Sequence, residues 1–357
     1  MSNICLLEQT LAGNLSFNKA RIKLIAGFLI SILQVKTVNL TEIATAFPGR
    51  AKEESNYKRL QRFFRFFELP YALIADLVVK LLGVSGPWTL TMDRTNWKLG
   101  LTELNILMLG IVYKGVAFPI VWLILPKAGN SNTDERILLL EIFIDLFGVE
   151  KIQCLLGDRE FVGKRWFQWL LDQGIDFRMR VHENYRVANG RGTLVPAWLL
   201  FSTSGVDQML VFPSPRRMWG LELYLSGCYL GKGEYLILVA PNYSQQPENE
   251  FKKRWEIETL FGCLKTRGFN LEDPHLTEPE RLSKLLALLA IAFCWPHKVG
   301  EWKAKQQPLK IKKHGYLAKS IFRYGFDCLR RILTNFDHFD HFDLVGWTRV
   351  IKILSCI

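Results

Sequence analysis

The spacing of apolar and polar positions divides the chain into stages. Residues 1–87 read as helical. Asn39-Leu-Thr-Glu42 has the form of a capping box and opens a short helix that ends before Pro48-Gly49. A second helix is expected from Glu53 to Phe67, with Leu60, Phe63, Phe64 and Phe67 as its apolar stripe. Lys58, Arg59, Arg62 and Arg65 occupy its other faces. Two helices about a tight turn, the second one basic, suit a helix-turn-helix-like unit in which Arg59 and Arg62 touch DNA. An ordinary amphipathic helix with a solvated basic face has the same pattern. Gly83 to Pro87 reads as a linker.

From Trp88 the periodicity changes. Trp88 to Asp93 is strand-like, and the apolar runs Leu104 to Tyr113 and Val116 to Leu125 flank Lys114-Gly115 as in a hairpin. A helix over Thr133 to Phe147, a strand over Lys151 to Gly157, a helix over Val162 to Gln173 and a strand over Asp176 to Val181 follow. Three strands, helix, strand, helix, strand is the order of a ribonuclease-H-like α/β core. Residues 184–246 are punctuated by Gly and Pro and read as a β-rich insertion. Helices return over Pro247 to Lys265 and Glu280 to Trp295. The expected organisation is a helical DNA-binding domain (1–87), a core in two parts (88–183 and 247–296) separated by the insertion (184–246), and a helical basic region (297–357).

Composition narrows the function. Of 357 residues 49% are apolar, enough for a sizeable core and against wholesale disorder. A formal charge of +12 favours a polyanionic partner, nucleic acid before membrane surface. The seven cysteines are scattered and never spaced Cys-x-x-Cys, which argues against a disulfide framework or zinc ribbon and for buried thiols of a cytosolic protein. There is no signal-peptide layout, and the longest uncharged apolar run, Leu285 to Trp295, is too short to cross a bilayer. A soluble cytoplasmic protein with no membrane association is expected. No Gly-rich phosphate loop is present, so ATP use is not expected.

Three carboxylates hold suggestive places. Asp93 closes the first core strand and Asp158 directly follows the short strand ending at Gly157. Carboxylates at strand ends of an α/β sheet commonly line a ligand crevice, although singly each also reads as a turn residue or helix cap. Glu258 changes the weighing. On a helical wheel Ile257, Leu260, Phe261 and Leu264 form one apolar stripe, and Phe251, Arg254, Glu258, Gly262 and Lys265 form a second beside it. That second stripe sets an acid between two cations, with glycine one turn on leaving room for a bulky ligand.

Phe251-Lys-Lys-Arg254-Trp-Glu-Ile-Glu258, followed by Lys265, resembles the Tyr-x2-Arg-x3-Glu-x6-Lys signature of the insertion-sequence-four family of DDE transposases. Asp158-Arg-Glu160 is similar to the surroundings of that family's second catalytic aspartate. The resemblance covers roughly residues 88–296 and departs at Phe251, where the signature has Tyr. It implies a DNA transposase of an insertion sequence, with Asp93, Asp158 and Glu258 as catalytic carboxylates holding two Mg²⁺ ions, or Mn²⁺ in their place, about 3.5–4 Å apart. It further implies that Phe251, Arg254 and Lys265 meet DNA, that Trp219 stacks on an extruded base, and that a homodimer acts on double-stranded terminal repeats and target DNA in a bacterial cytoplasm. For Trp219, core packing is the plainer reading. A ribonuclease-H-like nuclease without strand transfer, and a decayed DNA-binding element copy, are the alternatives.

Overall fold

Small polar caps set the first helices. The Asn18 side chain accepts the backbone N–H of Arg21 and the Asn39 side chain that of Thr41, satisfying donors that a helix start leaves open. They open α2 (Lys19–Val35) and α3 (Leu40–Thr45), which follow α1 (Asn3–Asn14) and precede α4 (Glu53–Phe66) and α5 (Tyr71–Leu82). α4 buries Leu60, Phe63 and Phe64, as its periodicity predicts. Gly83, at a φ of 64°, ends α5 in the left-handed conformation that glycine adopts without strain. The computed structural model describes residues 3–99, 102–313 and 317–334; residues 335–357 of the expected basic region lie outside them.

Residues 85–96 and 105–260 form an α/β unit. Its strands begin with β1 (Trp88–Leu99), β2 (Thr102–Tyr113) and β3 (Val116–Leu125). Lys114 and Gly115, both at positive φ, make the two-residue turn between β2 and β3. α6 (Thr133–Phe147) starts at a reciprocal capping box between Asn132 and Glu135. Then come β4 (Ile152–Gly157), α7 (Lys164–Asp172) and β5 (Phe177–Arg180). β4 pairs parallel with both β1 and β5.

The expected β-rich insertion proves to be largely an extension of this sheet. It contains β6 (Arg186–Ala188), β7 (Leu194–Pro196), β8 (Leu210–Val211), β9 (Arg216–Met218), β10 (Leu221–Gly231) and β11 (Glu234–Ala240). β11 pairs antiparallel with β5, giving the order β3-β2-β1-β4-β5-β11-β10-β8, while β6 and β7 pair separately. An unpaired β5 edge would leave backbone donors and acceptors open, and β11 satisfies them. The expected helix over Pro247 to Lys265 is broken into α8 (Pro247–Lys252), a 3₁₀ turn over Lys253–Trp255 and α9 (Glu256–Leu264).

Residues 3–84, 97–99, 102–104, 261–313 and 317–334 cluster as a helical unit. It adds α10 (Pro279–Gln306) and α11 (Ile321–Thr334) to the amino-terminal helices, a division other than the one drawn from the sequence. α10 does not end at Trp295 as expected but continues through Pro296. Proline lacks the donor for one intrahelical bond, yet this turn is clamped by neighbours. A Cβ at Gly325 would collide with the Pro296 carbonyl, and one at Gly300 with the Ile321 carbonyl, so the two helices touch backbone to backbone. By length and apolarity α10 could also cross a membrane, contrary to the shorter run read from the sequence, but 89% of its apolar window is buried in the fold. Cys154, Cys228, Cys263, Cys294 and Cys328 are free and buried, as expected.

Candidate functional site

The site begins at a parallel strand pair. Met92 on β1 stands opposite Gly157 on β4, so the next residues, Asp93 and Asp158, occupy neighbouring positions where β4 stops. β1 itself runs on to Leu99, which places Asp93 within a strand rather than at its end. Gly157 is closely packed: a Cβ there would lie 2.6 Å from Met179 Sδ, and that side chain would have to shift. The backbone N–H of Arg94 donates to Asp93 Oδ1 at 2.7 Å, and that of Arg159 to Asp158 Oδ1 at 2.8 Å.

Arg254 joins the third acid to the first. Its Nη2 donates to Glu258 Oε1 at 2.8 Å, and its Nη1 lies 3.6 Å from Asp93 Oδ2. The Arg254 side chain is only 4% exposed, against 20% for Asp93 and 42% for Glu258. This guanidinium, expected to meet DNA, is enclosed between the two carboxylates, with the Phe251 and Trp255 rings 5.8 Å and 4.8 Å from it. Phe251 is also relocated, being 5% exposed where the wheel turned it toward DNA or water. The wheel assumed one unbroken α-helix, and the intervening 3₁₀ turn winds about 120° per residue instead of 100°.

Burial pushes the Asp93 carboxyl up to about 6; the Arg94 N–H and Arg254 oppose the shift, while Glu258 and Asp158 add to it. All three carboxylates therefore share one field. Arg180 on β5 is within electrostatic reach of both Asp158 and Arg254. Glu256, one turn before Leu260, is raised to about 7 by burial, against the pull of N–H bonds from Gly115 and Tyr113 at the β2–β3 turn.

A second set of polar side chains frames the acids, and sequence reasoning missed it. Arg94 Nε donates to Glu160 Oε1 at 3.1 Å, tying the residue after Asp93 to the second residue after Asp158. The same oxygen accepts from Ser131 N at 2.9 Å, and Arg94 Nη1 donates to Asn105 Oδ1 at 3.1 Å. Glu160 is thereby a tie between the two segments, its side chain only 17% exposed. The repeated Asp-Arg pairs at 93–94 and 158–159 were the available signal.

Trp219, at a φ of 54° in the β9–β10 turn, is half-buried with its ring centroid 5.1 Å from Tyr185 and 5.9 Å from Phe167. Lys265 belongs to the helical unit, with Nζ 3.0 Å from Glu272 Oε1 and 5.4 Å from the Trp97 ring. Arg59 lies 5.6 Å over the Phe47 ring, and Arg62 is exposed on α4. Among the described residues no three His, Cys, Asp or Glu side chains converge as a ready metal cage. Asp93 and Glu258 close on Arg254 instead.

A search of curated proteins finds no match. Among solved structures, a cryo-EM structure of a piggyBac transposase synaptic complex with hairpin DNA is similar over 98% of this chain and 83% of that one, with a TM-score of 0.45 and 12% identity. The transposase DDE domain family matches residues 92–295, more than half of the chain, and the chain belongs to that family.

Proposed function

We propose that the chain is an active DNA transposase, cleaving phosphodiester bonds at element ends and joining the resulting 3′-hydroxyls to target DNA, with Asp93, Asp158 and Glu258 as its catalytic carboxylates. The observation that carries this reading is the clustering of the three acids: two at neighbouring positions of parallel strands, the third tied to the first through Arg254. The order β3-β2-β1-β4-β5, with β1, β4 and β5 parallel, supports a ribonuclease-H-like core.

The donor set suits a hard divalent cation such as Mg²⁺, since all donors are oxygens. Burial, with a smaller push from Glu258 and Asp158, raises the proton affinity of Asp93, and a bound cation would favour its charged form instead. A pair of such ions, when bound, activates the attacking oxygen and stabilises the leaving one. The residues do the rest. Asp93 and Asp158 would hold the ions from the strands, and Glu258 would join them by releasing Arg254. Arg254 then remains beside Asp93 as a fixed positive charge that limits repulsion among the acids. The Arg94–Glu160 pair keeps the two aspartate segments in register while DNA enters and leaves.

The test uses the purified full chain, a supercoiled plasmid and a duplex with a free 3′-hydroxyl, with and without Mg²⁺ or Mn²⁺. Metal-dependent cleavage and joining are expected. Cleavage without joining would reduce the protein to a nuclease, and no cleavage with either ion would defeat the reading.

A further inference from the structure

The exposed face of α4 carries cations that meet no acid. Lys58, Arg62 and Arg65 are exposed on the side opposite Leu60, Phe63 and Phe64. Among the described residues no carboxylate pairs with them or with Arg59. The acids of the helix, Glu53 and Glu54, are confined to its first turn. This is the inverse of the acid site, where Arg94 and Arg254 are already engaged by carboxylates.

Two grooves run beside this face. One, of about 810 Å³, is lined by Lys58 and Arg65 together with Arg281, which arrives from the start of α10. The other, of about 410 Å³, is lined by Arg59 and by Arg21 of α2. Arg62 and Phe66 line both grooves and so form the ridge between them. Phe66 is 70% exposed, an aromatic ring presented to solvent at the crest.

A ridge with a basic groove on each flank has the shape of a duplex-reading element. A helix about 10–12 Å across fits a major groove about 12 Å wide, and the two sugar–phosphate backbones then lie along its sides. Cations without acid partners are free to replace the counterions of those backbones. We propose that α4 is a duplex-DNA-reading ridge: Arg62 and Phe66 enter the major groove, while Lys58, Arg65 and Arg281 seat one backbone and Arg21 and Arg59 the other. The inference deepens the transposase reading and rests on it for its biological ligand. Glu53 and Glu54 would repel phosphate, so the ridge inserts by its carboxy-terminal half. Arg281 already pairs with Glu278 at 2.8 Å and contributes least. At the crest, Phe66 would contact apolar base edges such as the thymine methyl, and Arg62 the guanine acceptors.

The experiment measures binding of the full chain to a random-sequence duplex and to a single strand of the same length, by fluorescence anisotropy across a range of salt. Lys58→Ala/Arg65→Ala and Arg21→Ala/Arg59→Ala are each expected to flatten the slope of log affinity against log salt by about two units. Lys58→Gln/Arg65→Gln repeats the first test with side chains that keep their hydrogen bonding, and thermal unfolding verifies that each variant is folded. Phe66→Ala is expected to weaken duplex binding at every salt and leave the slope unchanged. Unchanged slopes in folded double variants would overturn the proposal, as would equal losses on single strand and duplex. Plasmid nicking by the unmodified chain separates the two readings. Groove-dependent binding without nicking sinks the transposase reading and keeps the ridge; nicking with unchanged slopes does the reverse.

Discussion

The acid site of the α/β unit and the exposed face of α4 in the helical unit treat charge in opposite ways. In the first, Arg254 is buried against Asp93 and Glu258, and Arg94 against Glu160, so both cations are committed to acids of the same chain. In the second, α4 holds Lys58, Arg59, Arg62 and Arg65 with no carboxylate beside them. A buried cation with an acid partner stabilises and positions, because removing it strands a charge in low dielectric. An exposed cation without one adds little to stability, and its free energy is realised only when an anion arrives. Perturbing one unit should therefore change catalysis and stability, and perturbing the other should change the salt dependence of binding.

The sharpest way to break this contrast is at the acids. Asp93→Asn, Asp158→Asn and Glu258→Gln are each expected to lower metal-dependent plasmid cleavage by orders of magnitude, with duplex binding retained. A folded variant that cleaves at the normal rate would remove that residue from the site. Arg254→Ala comes next. It leaves Asp93 buried beside two other acids, and urea unfolding should show a loss of about 3 kcal/mol, the low end for a broken buried pair because Glu258 is partly exposed. The salt slope of DNA binding should not move. Were it to flatten instead, Arg254 would be a phosphate ligand after all. Arg254→Lys should restore only part of the stability, since an ammonium cannot bridge two acids as a planar fork does.

Glu256 sharpens the picture through pH. Its folded-state proton affinity is raised, so the folded chain keeps a proton that the unfolded chain has lost. Stability from the neutral form is complete below the ordinary carboxylate range and is lost as pH rises through about 7. Glu256→Gln retains an acceptor for the hairpin N–H groups and removes the charge. Unfolding compared at about pH 5 and about pH 8 should show the pH-dependent loss shrinking by on the order of 2 kcal/mol. An identical loss in the variant would place the titration at other groups, Asp93 first. The smallest effect is expected at Phe251. Phe251→Tyr puts a hydroxyl into a 5%-exposed position and should lower stability by about 1–2 kcal/mol without raising cleavage. Unchanged melting together with faster cleavage would show that the ring reaches DNA.

Much of this molecule follows from the sequence alone, because local rules act over a few residues. Alternation and turn chemistry located the hairpin at Lys114-Gly115 and the strand ending at Gly157, and periodicity located α4 with its apolar stripe. The two aspartates and Glu258 were legible as acids placed at breaks in apolar pattern or between cations. Tertiary structure decided the rest, since contacts distant in sequence leave no local trace. The pairing of β5 with β11 turned an insertion into sheet, because an open edge seeks a partner wherever the chain provides one. Backbone contact between α10 and α11 carried a helix through Pro296. One 3₁₀ turn rotated Phe251 into the core, and Asp93 and Glu258 closed around Arg254 from separate elements. Periodicity states which face of an element is apolar; only packing states which charges are left without a partner and hence free to bind.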